Sequence, residues 1–170
     1  MGVFATVADA LRYPAPGRLE ALQRCTEELD DCEVRAGLCA FLERIGLLPL
    51  GEWEELHTRT LDLSPHFAPY VGHAVWGESY KRGEFMAALN RALGSEGVDA
   101  EGELPDHLIP VLRYLDAAPE PIPQVLEHLA PALEHMRAEL TEADSDSPYL
   151  SVLDAASASV RSMTAPGDPT

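Results

Sequence analysis

This chain is short of positive charge. Its 170 residues include 12 Lys and Arg, of which Lys81 is the only lysine, against 29 Asp and Glu, for a formal charge of −17. Recognition of nucleic-acid phosphates needs a cationic surface, so the charge argues strongly against that class of partner and equally disfavours an anionic membrane surface. Cationic or apolar partners are favoured instead. Residues that favour strands are scarce too: Val and Ile together supply 13 positions, whereas Leu and Ala supply 47. That balance points away from sheets and toward helices.

Cysteine is present only at positions 25, 32 and 39, an odd number that describes no disulfide framework. The steps of seven correspond to two helical turns, about 10 Å of rise, too far for one ion held by one helix. A helix break expected near Asp30–Cys32 spoils the register as well. The three thiols are therefore expected as small buried core residues. No apolar run approaches the ~18–20 residues of a membrane span. The segment from Met1 to Val7 has neither a charged leader nor a cleavage site, so a reducing cytoplasm is the expected location.

Catalytic signatures are missing as well. The chain has no Gly-x-Ser-x-Gly, no Gly-x-x-x-x-Gly-Lys and no Gly-x-Gly-x-x-Gly, and its histidines form no ligand pair. The expectation is a non-enzyme with no stably bound cofactor or metal.

What is present is helical periodicity. Leu126, Leu129, Leu133, Met136 and Leu140 recur at three- and four-residue steps, as do Leu104, Leu108, Leu112 and Leu115. Breakers divide the chain into about eight helices: roughly 3–12, 18–30, 33–46, 52–63, 78–93, 105–117, 123–140 and 148–163. Pro105, Pro123 and Pro148 each suit a first helical position, and Ser147 an N-cap. The prediction is one all-α, single-domain bundle over residues 1–164, with Pro/Gly-rich connectors and a flexible C-terminal tail at 165–170.

One segment departs from this pattern. Residues 64–77 combine aromatics, Pro and Gly. The following run contains Lys81 beside Arg82 in an otherwise acidic chain. Tyr70, Trp76 and Tyr80 are rigid amphipathic groups of the kind that anchor interfaces. Lys81 and Arg82 could equally pair with nearby acids while the aromatics seal a helix–helix junction.

Two blocks in this region carry a resemblance. His73 followed by Gly77-Glu78-Ser79-x-x-Arg82-Gly83 is similar to an HxxGESxxRG signature, with one extra residue between His and Gly. Glu103-Leu104-Pro105-Asp106-His107-Leu108, followed by Tyr114-Leu115, is similar to an ELPDHL…YL block. A weaker echo is Leu129-Ala130-Pro131-Ala132-Leu133. The chain thereby resembles the redox-enzyme maturation chaperones of the nitrate reductase assembly type, the NarJ-like branch of the TorD/DmsD superfamily. Chaperones of selenate, chlorate, dimethyl sulfide and ethylbenzene oxidoreductases look equally similar.

The resemblance implies a cytoplasmic, non-enzymatic helical chaperone that binds unfolded protein. Its partner would be the N-terminal segment of an apo molybdoenzyme catalytic subunit, kept competent for insertion of a molybdenum cofactor that belongs to the client. The cofactor-insertion machinery is a further candidate partner. By motif, Gly77, Glu78, Ser79, Arg82, Gly83, Pro105, Asp106, His107 and Leu108 are candidate client-binding residues. To these the aromatic reading adds Tyr70, His73, Trp76 and Phe85. A client peptide would place apolar anchors against Tyr70, Trp76, Phe85 and Leu108. Arg82 could alternatively pair with Glu78 or Asp106 to fix two helices. Two other readings stay open: a metal- or redox-responsive protein using the cysteines with His66 or His73, and a general acidic adaptor.

Overall fold

In the computed structural model, which describes residues 1–64 and 66–166, the Leu- and Ala-rich stripes form nine α-helices among the described residues. These are α1 (Val3–Ala10), α2 (Arg18–Glu27), α3 (Cys32–Ile45), α4 (Leu50–His57), α5 (Val71–Trp76), α6 (Tyr80–Ser95), α7 (Leu108–Ala117), α8 (Pro123–Ala143) and α9 (Tyr149–Thr164). A π-helical turn, Thr58–Asp62, continues α4 directly. The chain is an all-α bundle, as its composition predicts. No helix among the described residues is long and apolar enough to cross a membrane.

Helix α3 packs on α9, α1 on α7, and α8 on both α9 and α5. The apolar stripes meet at their centre. Leu38, Phe41 and Ile45 of α3, Leu108 and Leu112 of α7, and Leu129, Leu133 and Met136 of α8 are all buried. Leu126, in the first turn of α8, stays outside this core. Buried polar tips find partners, as desolvation requires. Trp53 Nε1 donates to Tyr149 Oη at 3.2 Å, and the Ile122 amide donates to Tyr114 Oη at 2.9 Å. Burial pushes the Tyr149 phenol above its ordinary range, so it stays neutral.

Local chemistry fixes the helix ends and corrects several expectations. The break near residue 31 is present: Asp31 Oδ1 accepts the amides of Glu33 and Val34 at 3.0 and 3.1 Å, starting α3 afresh. The cysteines, however, are not core residues. Cys25 is half-buried, while Cys32 and Cys39 are exposed. On α3 the buried face is set by Val34, Leu38, Phe41, Leu42 and Ile45, and positions 32 and 39 fall outside it.

Pro105 does not open α7, which begins at Leu108. Residues 69–71 hold the preceding stretch extended through a two-residue antiparallel bridge, Tyr70 to His107. The Val71 amide donates to the Asp106 carbonyl at 2.8 Å and the Leu108 amide to the Pro69 carbonyl at 2.9 Å. Helix α9 begins one residue after Pro148, and Ser147 Oγ accepts the Tyr149 amide at 3.3 Å. Pro123 does occupy the first position of α8. Of the expected tail, Ala165 and Pro166 are exposed, and 167–170 lie outside the described residues, as does Pro65 of the unusual connector.

Candidate functional site

The two sequence blocks meet at Asp106. This carboxylate is fully buried. Its Oδ2 accepts Arg82 Nε at 2.9 Å and the Gly72 amide at 3.1 Å, while Oδ1 accepts Arg82 Nη2 at 3.3 Å. A guanidinium fork on a carboxylate is a strong, directional pairing. Here it ties α6 to the residues that precede α7 and to the first turn of α5. The hydrogen bond to Asp106 raises the pKa of Arg82. The guanidinium carbon also lies 5.4 Å from the centre of the Tyr70 ring, within cation–π range.

Gly72 is required by this approach. A Cβ there would stand 2.7 Å from Asp106 Oδ2 and 2.8 Å from Arg82 Cγ. Gly72→Ala is expected to cost about 1–3 kcal/mol, seen as a lower urea midpoint, because the clamp must open to admit the methyl group. Gly83 supplies the contrast. It is exposed on α6 with open space around its Cα. Gly83→Ala should therefore stabilise by about 0.5–1 kcal/mol through helix propensity alone. Gly77 has a different role: its φ of 62° and ψ of −143°, at the end of α5, lie in a region open to glycine. Ser79 then caps α6, accepting the Lys81 amide at 3.2 Å.

His107 is buried beside the clamp. Its Nδ1 accepts the Ile109 amide at 3.1 Å, capping α7, and its ring meets Tyr70 edge-on at 5.2 Å. Burial lowers its pKa from 6.5 to about 4, against the opposing pull of Asp106. The imidazole is thus a neutral cap at ordinary pH. Burial, with Glu103 and Asp106 nearby, raises the Tyr70 phenol.

Outside the clamp lies a half-open aromatic face. Trp76 is half-buried against Phe85, with ring centres 5.2 Å apart, and against His128 of α8 at 4.6 Å. Glu78 is exposed and lies 3.6 Å from His73 Nδ1 and 3.8 Å from Arg82 Nη1. Tyr80, at 76% exposure, stands free at the start of α6. The structure therefore divides the candidates. Tyr70, His73, Trp76, Glu78 and Ser79 retain exposed surface, as do Gly77, Gly83 and Pro105, and Arg82 keeps a little. Phe85, Asp106, His107 and Leu108 are buried. Phe85 and Leu108 cannot serve as surface anchors for a peptide in this conformation, because they are the apolar floor under the clamp.

A sizeable hollow lies away from both sequence blocks, and of its lining only Ser64 and His66 fall in segments singled out above. A cleft of about 950 Å³ runs between the α4–π turn segment and the end of α8, lined among others by Tyr13, Glu55, Thr58, Leu63, His66 and Leu140. Its signals in sequence were weak: Leu63 and Tyr13 are ordinary apolar letters, and their exposure follows only from the packing. Among the described residues, no three His, Cys, Asp or Glu side chains gather as ligands for a metal ion. No model of a known protein family matches the chain, and no curated protein matches it significantly.

Proposed function

We propose that this chain is a dedicated cytoplasmic chaperone. It would bind the N-terminal segment of a molybdoenzyme catalytic subunit, of nitrate reductase or a related enzyme, and keep the apo subunit competent for molybdenum cofactor insertion. The observation that supports this reading most is the Arg82–Asp106–Gly72 clamp. Arg82 of the first block and Asp106 of the second, 24 positions apart, form one buried pair, and Gly72, just before the first block, adds its amide. The two blocks that carry the resemblance thus pack against each other, which is the arrangement a shared binding region needs. The acidic surface supports it as well, since negative charge speeds encounter with a basic segment.

Such a chaperone binds and releases without chemistry. Its release would come from competition or from folding of the client. Calorimetric titration with the N-terminal peptide of a molybdoenzyme catalytic subunit from the same organism should give saturable binding. A dissociation constant between about micromolar and nanomolar, roughly −8 to −12 kcal/mol, is expected. Absence of heat and of co-purification at several salt concentrations would overturn the proposal.

A further inference from the structure

We infer that the cleft beside the π turn, rather than the aromatic face at the clamp, is where a cationic peptide with apolar anchors docks. The inference rests on the chaperone reading only for the source of that peptide.

The shape comes first. The cleft of about 950 Å³ is at the upper end of ligand-site volumes. At one end it shares Glu55, Arg59 and Asp144 with a second hollow of about 460 Å³ under α4. At the other it shares His66 and Ala143 with a third of about 460 Å³ along α8. Through these shared lining residues the three hollows adjoin as a trench, and α4 with the π turn, Leu50–Asp62, borders the first two over about 20 Å at helical rise. That span fits a few turns of helix or a short extended segment.

Its chemistry selects the occupant. Glu52, Glu54 and Glu55 line one wall, and Glu139, Glu142 and Asp144 the other. Against them stand Arg59 and Arg44, the latter already bound to Asp146 at 3.2 Å. Within this acidic frame are apolar surfaces that the fold leaves uncovered: Leu63 at 74% exposure and Tyr13 at 51%. Apolar anchors between acidic walls match a segment carrying Leu-like side chains flanked by Arg or Lys. An acidic or purely polar segment would leave charges unpaired or apolar area exposed.

A π turn shapes this wall. The π turn is closed by the Leu63 amide on the Thr58 carbonyl at 2.9 Å, so that Leu63, which follows it, is exposed at the end of the α4 segment. Such turns cluster at functional sites. Beneath it, His57 Nε2 is 2.9 Å from the Leu11 carbonyl, while its buried Nδ1 has no hydrogen-bond partner and lies 3.8 Å from Asp62.

The test uses the full chain and two synthetic peptides, one of Leu, Ala and Arg, the other with each Arg replaced by Glu. The cationic peptide should bind and its acidic twin should not. Glu55→Lys with Glu142→Lys, one exposed residue on each wall, should weaken binding at least about tenfold. Glu28→Lys, the same charge change at the end of α2, should not, and all variants should keep the wild-type melting curve. A photoreactive phenylalanine at position 63 should crosslink to the peptide, and one at position 80 should not. Equal binding of the two peptides, indifference to the paired substitutions, or crosslinking only from position 80 would overturn the inference. If the molybdoenzyme segment binds but ignores the paired substitutions, the docking site is wrong and the chaperone reading stands. If the cationic peptide binds in the trench while that segment does not bind at all, the reverse holds.

Discussion

Asp106→Ala should destabilise the protein by about 3–5 kcal/mol, the usual consequence of stripping one partner from a buried ion pair. The substitution removes acceptors from Arg82 Nε, Arg82 Nη2 and the Gly72 amide at once. Arg82, whose side chain is only 13% exposed, is left with a charge it can neither hydrate fully nor neutralise. Its remaining acid, Glu78, is 3.8 Å away and 86% exposed, too loose and too wet to replace a buried fork. Urea unfolding checks the value. The double variant Arg82→Leu with Asp106→Leu separates the pair from its surroundings: removing both charges should cost much less than the sum of the single changes. A loss below about 1 kcal/mol for Asp106→Ala would mean that the pair behaves as a surface contact and does not hold the two blocks together.

The second large effect is a dependence on acid. Folding lowers the His107 pKa from 6.5 to about 4 because burial disfavours the charged ring. Between those values the unfolded chain holds a proton that the folded chain refuses, so lowering the pH favours unfolding. The stabilisation is complete above about pH 6.5 and is lost as pH falls toward 4, in total about 3 kcal/mol. Protonation would also cost the cap, because Nδ1 accepts the Ile109 amide. Other groups titrate in the same range, so the informative comparison is with His107→Asn, which keeps a capping acceptor and removes the proton. Its unfolding free energy should fall less steeply than that of the wild type between pH 6.5 and 4. Parallel curves would show that His107 does not carry this acid sensitivity.

The site was partly legible in advance. The alternative in which Arg82 fixes two helices through Asp106 follows from charge types alone, and the structure realises it. That Asp106 would be fully buried, and would also take the Gly72 amide, depends on a bridge between residues 70 and 107 that no local pattern encodes. For the same reason Pro105 misled: proline permits a helix start, but the pairing of 69–71 with 106–108 delays that start to Leu108. The cysteines misled differently. A free thiol is usually buried, yet the face of α3 that meets α9 is set by Leu38, Phe41 and Ile45, which turn positions 32 and 39 to solvent.

Sequence by itself determined the helical class, the acidic surface and the rough division into segments. Each of these is a sum over composition or a short-range period, and needs no knowledge of which helix meets which. Only the tertiary structure decided which motif residues face inward, why Gly72 cannot bear a side chain, and where the acidic trench opens. Those features arise between segments far apart in the chain, where packing rather than local preference sets exposure.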